Sequence, residues 1–391
     1  MNIHQCPVCE NNKLTAFLHR RQVPVHQNLV VTSQSAARSV TRGELDMVAC
    51  EDCGFVFNRA FDLSRLAYGE DYDNTQSCSA YFDAYLDGLI QDLVERQGVC
   101  NSTIVEVGCG KGQFLRKLVR YPGANNKGFG FDPSYVGPDT DLEGRLAFRR
   151  CFYDETCTDV AADIVVCRHV IEHVPHPLAL LRSVRSALAL SPKARVFFET
   201  PCVEWILRNR VVWDFFYEHC SLFTAGSLSL AFERAGFAVE RVEHVFGGQY
   251  LWLEARVRVD DQPLSERRCP QAATLAQAYG VDEAALRQKW LSKLQGLKAH
   301  GKVALWGAGA KGATFANLVD PGCTLIDCVV DLNPNKQGHY LPGTGHPIVA
   351  QAELPRRGVK SAVLMNPNYR EENLRLLAEA GIALDLIDWS K

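Results

Sequence analysis

The run from Thr103 to Leu115, TIVEVGCGKGQFL, constrains this chain more than any other stretch. Its β-branched residues predict a buried strand. Glu106 then opens a turn in which Gly108, Gly110 and Gly112 let the backbone bend and approach a ligand more closely than a Cβ would permit. The apolar residues that follow predict a helix. A strand, a glycine turn and a helix in that order form the opening unit of a doubly wound α/β sheet, whose ligands bind outside the carboxyl ends of the strands. A second such unit, KVALWGAGAKGATFAN, begins at Lys302, with Gly307, Gly309 and Gly312 in Gly-x-Gly-x-x-Gly spacing and Asp331 nineteen residues further on. Read alone, it is a dinucleotide fingerprint.

Two such units fit in 391 residues with room for a third module. A formal net charge of −3 argues against nucleic acid as a partner, which would call for a basic face. No basic-then-apolar leader opens the chain, and no stretch of some twenty apolar residues follows, so a cytoplasmic protein with no membrane partner is expected. The fifteen scattered cysteines suit a reducing compartment. Four of them form two knuckles, Cys6-Pro7-Val8-Cys9 and Cys50-Glu51-Asp52-Cys53, and four thiolates predict a closed, structural Zn2+ site. The segment between them, with NLVVT near its middle and MVAC before the second knuckle, predicts a β-ribbon. So small a piece, residues 1–66, needs a staple to hold it.

The spacing Glu-x-Gly-x-Gly-x-Gly at Glu106 to Gly112 resembles the first motif of class I S-adenosylmethionine (SAM)-dependent methyltransferases. Residues 67–258 fit that reading, with predicted strands TIVEVG, GFGFD, AFRRCFY, ADIVVCR and ARVFFET and the closing pair VERVEHVF and LWLEARV. Asp132 ends the second strand, where a carboxylate can accept from both hydroxyls of an adenosine ribose. Phe152 or Tyr153 is expected to stack on the adenine and Asp154 to accept from its amine. The fourth strand runs into Arg168-His169-Val170-Ile171-Glu172-His173, a segment that faces the cofactor and the reaction. His173 is its favoured functional residue. After the fifth strand an aromatic insertion ends in Tyr217-Glu218-His219, where Glu218 and His219 form the best acid/base pair of the chain. Residues 259–300 read as a helical linker, and 301–391 as a C-terminal Rossmann-like α/β domain.

The order of parts, together with Gly-Ala-x-Ala-Lys-Gly and DLNPNKQGHYLPGTGHPI at 331 to 348, resembles the three-domain sugar C-methyltransferases of deoxysugar biosynthesis. The resemblance implies a class I methyltransferase domain between a zinc-binding domain and a substrate-holding domain. It also implies methylation of the carbon next to a ketone of a nucleotide-linked 4-keto-6-deoxyhexose, with His219 as general base, and His173 and Tyr72 as donors to the enolate. Tyr217 is the tyrosine expected before Glu-His, or Phe216 if the match is shifted. Lys311, Asn333, Lys336 and His346 become candidate phosphate or substrate ligands. The alternative is an O- or N-methyltransferase on another small metabolite, which needs a base but no enolate stabiliser.

Overall fold

A computed structural model describes residues 4–66, 78–258 and 269–388. Tyr72 lies outside them. Three sheets carry the fold. The first is antiparallel, in the order Leu14–Pro24, Arg42–Cys50, Val56–Asn58 and Ser221–Leu222. Its ribbon is therefore built from LTAFLHRRQVP rather than from NLVVT. The latter crosses to the C-terminal domain, where Val31 bridges Tyr340. The register sets Leu14 opposite Cys50, which brings the two knuckles together at one end of the ribbon.

The central sheet has eight strands, in the order Phe237–Val245, Tyr250–Val257, Arg195–Pro201, Ile164–Arg168, Thr103–Val107, Lys127–Phe131, Leu146–Arg149 and Thr140–Asp141. The five from Arg195–Pro201 to Leu146–Arg149 run parallel, the arrangement that right-handed crossovers through covering helices produce. Their residues are apolar on both faces, as burial between two helical layers requires: Ile104 and Val105, Val165 and Val166, Val196 and Phe197 are all almost fully enclosed. The third predicted strand stops at Arg149, so Phe152 to Asp154 lie in the loop beyond it.

The third sheet is wholly parallel, in the order Ile348–Val349, Ile326–Val330, Lys302–Trp306, Val359–Leu364 and Asp385–Asp388. The expected helical linker contains a 30-residue helix, Gln271–His300, that packs on the ribbon. Arg20 explains the docking. Its guanidinium is 5% exposed and meets Glu283 of this helix at 3.1 Å, Val212 O at 2.7 Å and Phe215 O at 3.0 Å. A buried cation this well satisfied holds ribbon, helix and aromatic insertion in one register, because removing any partner would leave a charge stranded. The insertion reaches the C-terminal domain through Trp213, whose ring lies edge-on to Trp290 and Phe315. Among the described residues, no helix is long and apolar enough to cross a membrane.

Candidate active site

The strand Thr103–Val107 ends in the middle of the central sheet, and its glycines all take left-handed φ, 69° at Gly108, 52° at Gly110 and 72° at Gly112. A Cβ on Gly108 would fall 2.2 Å from Val170 Cγ2, so glycine here lets the turn press against the loop that carries the histidines. A Cβ on Gly110 would meet nothing within 4 Å. That turn therefore has a tight back and an open front. The Gly110 N–H donates to Asp132 Oδ2 at 2.8 Å, while Asp132 Oδ1 accepts from the Ser134 amide and hydroxyl. Asp132 thus already shapes the turn, and Oδ2 keeps capacity for one ribose hydroxyl, not two.

Glu106 is 4% exposed and its Oε2 has no hydrogen-bond partner among the described residues. Burial, acting against the nearby Arg168, pushes its carboxyl up to about 8. Arg168 turns to Glu199, with Nε donating to Oε2 at 2.6 Å, and its guanidinium lies 4.7 Å over the Phe114 ring. Tyr85 also donates its hydroxyl to Glu199. Tyr153 is buried against Phe131, with its own hydroxyl unpartnered, whereas Phe152 is 74% exposed at the rim. Asp154 caps a turn by accepting from the Thr156 amide and hydroxyl. Among the described residues, Glu106 Oε2, Arg168 Nη2, Tyr153 Oη and His173 Nδ1 are buried and unpartnered. All four residues lie at or just beyond the carboxyl ends of central-sheet strands, where a polar ligand would meet them.

Beside this turn lie the histidines. His173 and His219 meet edge to face with ring centroids 4.9 Å apart, and Phe216 covers His219 at 4.0 Å. The ligating atoms of Glu172, His173 and His219 lie within 4.8 Å of one another. Burial, reinforced by the neighbouring His173, drives the His219 imidazole well below its ordinary value, so the ring is neutral and can take a proton. Glu172 is fully buried, accepts from His169 Nδ1 at 3.2 Å and from the Thr200 hydroxyl at 3.0 Å. Burial opposes its charge, but His169, His219 and His173 outweigh that and hold the carboxyl at about 2. Ser221 Oγ donates to Val174 O at 2.7 Å and locks the His219 segment to the His173 loop.

The acid/base pair expected from sequence adjacency is split. Glu218 points away from His219, accepting from the Gln27 amide at 2.9 Å and lying 3.4 Å from His26 Nδ1. Tyr217 turns the same way. Its ring packs on Phe61, and its hydroxyl accepts from Asp62 N and donates to Asp62 O. Both residues fasten the insertion to the N-terminal module, while the carboxylate that faces His219 is Glu172. Phe216, not Tyr217, lies on the histidine. The Ile-Glu-His sequence held the signal for Glu172, whereas nothing in it announced His169 or Thr200 as its partners.

The four cysteines do converge. Cys6 Sγ lies 3.6 Å from Cys53 Sγ, and Cys9 Sγ 3.4 Å from Cys50 Sγ. A tetrahedral zinc with Zn–S bonds of about 2.3 Å requires sulfurs roughly 3.8 Å apart, so the donor set fits. Of the C-terminal candidates, Lys311 pairs with Asp214 at 2.6 Å. Lys336 donates to Asn28 Oδ1 and Ala308 O, Asn333 Oδ1 accepts from the Asn335 amide, and His346 is completely buried. These bonds are to groups of the chain itself, while Asn333 Nδ2 is buried and unpartnered among the described residues. A cavity of about 190 Å³ does open between ribbon, insertion and the helix Ala310–Val319, lined by Arg20, Arg21, Arg287, Phe216 and Asn317.

Residues 82–242 match a family model described as a methyltransferase domain, and residues 264–382 match a C-methyltransferase C-terminal domain. The C-methyltransferase NovU of Streptomyces niveus is 26% identical over 388 residues, covering 95% of this chain and 91% of that protein. A ubiquinone biosynthesis O-methyltransferase of Vibrio campbellii is 32% identical over 114 residues, which are 28% of this chain and 47% of that enzyme. A solved S-adenosylmethionine dependent methyltransferase from Mesorhizobium loti aligns with 44% of this chain and 99% of its own, at 21% identity and a TM-score of 0.33.

Proposed function

Because the chain belongs to the SAM-dependent C-methyltransferases, we propose that it methylates the carbon next to a ketone of a nucleotide-linked keto-deoxysugar, with His219 as the base. The observation that carries this reading is the half-buried His219 ring, its imidazole held well below its ordinary value, set against His173 on a loop pressed to the glycine turn. A carbon next to a ketone becomes a nucleophile only when its proton leaves and the enolate oxygen is held. His219 takes the proton. The imidazolium so formed lies within reach of the Glu172 carboxylate, and the unpartnered Nδ1 of His173 is the group available to donate to the oxygen. An oxygen or nitrogen acceptor would need the base alone, so the second histidine favours carbon.

SAM, when bound, supplies the methyl group. Gly110 and the spare acceptor of Asp132 fit its adenosine end, and buried Glu106 fits its cationic end. The cavity beyond Phe216, with Arg21 and Arg287 in its lining, suits the diphosphate of a nucleotide-sugar. The four cysteines hold a structural zinc that takes no part in the reaction. Elemental analysis should find about one zinc per chain, and Cys50→Ser should lose it; full-length protein free of zinc would remove the metal from the account.

Labelled SAM with a panel of nucleotide-linked keto-sugars identifies the acceptor. With the active one, His219→Ala should lower turnover about 10²- to 10⁴-fold with SAM affinity within a few-fold. The same variant should stop solvent deuterium from entering the acidic carbon of the sugar. Turnover and exchange at the wild-type rate would remove His219 from its role.

A further inference from the structure

Far from the histidine pair, the loop after the helix Ala310–Val319 assembles a second arrangement of titratable groups. Cys323 sits in a turn with φ of 54°, a left-handed conformation unusual for a residue with a side chain. Its Sγ is 3.5 Å from His346 Nδ1, and His346 Nε2 is 3.1 Å from Asp320 Oδ2. The aspartate is anchored by three loop amides, those of Thr324, Leu325 and Ile326, so it is fixed before the histidine meets it. Thr344 adds its hydroxyl to His346 Nδ1 at 2.7 Å and its carbonyl to the thiol at 3.0 Å. From the N-terminal module, Arg38 donates Nε to that carbonyl at 3.1 Å, and Lys298 of the long helix donates to Thr324 O. Around the sulfur are thus one enclosed histidine backed by an anchored anion, the Thr344 carbonyl that accepts from the thiol, and Arg38. His346 and Asp320 are buried while Cys323 is partly exposed, so a small reagent reaches the sulfur and not the groups behind it.

We propose that Cys323 is a nucleophilic thiolate held by a His346–Asp320 pair and Arg38, and a modification site for small hydroperoxides. A cysteine, a histidine and an aspartate in line form the array that activates thiols. Burial alone would raise the Cys323 thiol, but the His346 hydrogen bond and charge, with Arg38, bring it below the ordinary value. Burial opposes a charge on His346, but Asp320 and Cys323 outweigh it and raise the imidazole above its ordinary value. In the step itself the thiolate attacks one peroxide oxygen, an S–O bond forms as O–O breaks, and the hydroxide or alkoxide that leaves is neutralised by the proton the thiol had released to solvent on ionising. Sulfur is oxidised to the sulfenic acid by two electrons and the hydroperoxide is reduced. The product is neutral, which withdraws the negative partner of His346 and Arg38 at the seam between the N-terminal module and the C-terminal domain.

Alkylation of the full-length protein by iodoacetamide, mapped by peptide mass spectrometry, tests this against the exposed Cys151, whose thiol burial and Cys157 raise. Between pH 8.5 and 6.5 the Cys151 rate should fall about 100-fold, and the Cys323 rate should fall by a clearly smaller factor. With hydrogen peroxide and dimedone, Cys323 should carry the first adduct. Arg38→Gln, a change on an exposed helix end that leaves the fold intact, should restore a steep pH dependence at Cys323. A Cys323 rate that parallels Cys151, no label in the folded protein, or a profile indifferent to both Arg38→Gln and His346→Asn would overturn the proposal.

Discussion

The two glycine turns share a blueprint and differ in what stands in front of them. In each, the acid ending the next strand ties the turn through an amide: Asp132 accepts from Gly110 N at 2.8 Å, and Asp331 from Ala308 N at 2.7 Å. In each, a glycine permits a contact that a Cβ would forbid. On Gly108 it would strike Val170, and on Gly312 it would lie 1.9 Å from Gly307 O. The fronts are unlike. Gly110 faces open space beside a buried, unpartnered Glu106 carboxylate oxygen. At the second turn the buried Lys336 ammonium bonds Ala308 O, and Asn28 Oδ1, brought in from the N-terminal module, stands 3.7 Å from a Gly309 Cβ. A glycine fingerprint therefore states only that a backbone can approach something; in one turn that is a ligand, in the other a lysine and an asparagine of the same chain.

The strongest way to break this contrast is to add side chains to both fronts. Gly110→Val should weaken SAM binding by more than about a hundredfold by calorimetry, because it fills the open space and strains a left-handed residue. Gly309→Val, whose φ is −83°, should change SAM affinity by less than about threefold. Equal losses would mean that both turns serve the cofactor. A smaller effect concerns charge. With its carboxyl raised to about 8 by burial, Glu106 is protonated near neutrality in the ligand-free protein, and a cationic ligand favours its ionised form. SAM affinity should then rise about tenfold from pH 6.5 to 8.5. Glu106→Gln should bind more weakly with no such slope, and an identical slope in that variant would assign the effect elsewhere. The smallest change is expected from Lys336→Met, which removes a buried ammonium from the second turn. Thermal unfolding should shift by the equivalent of about 1–3 kcal/mol, the range for leaving buried partners unsatisfied, with SAM affinity unchanged.

Much of the scaffold was legible in order. Short continuous apolar runs ending in turn residues mark the parallel strands, and the first five predicted strands fall where the central sheet has them, the third ending early at Arg149. The same logic failed for NLVVT, an apolar run that reads as a strand in isolation. Its partners are in the C-terminal domain, and strand pairing over such distances leaves no local trace. The packing of the linker helix left no local trace either: helical composition says nothing of what a helix packs on, and here that is settled by Arg20 meeting Glu283 across 263 positions.

Residue identity determined the cofactor class, since a bend close enough to take a ligand needs glycines and an acid at fixed spacing, and these are local requirements. It also determined the four-sulfur cluster, because two knuckles can only be useful together. Tertiary structure alone decided how the reacting groups are paired. Neighbours in sequence on an irregular loop point in different directions, so Glu218 went to Gln27 and His26 while Glu172, from another loop, came to face His219. Packing likewise decided which glycine turn stays open, because the lysine and asparagine that close the second come from loops that only the folded chain brings there.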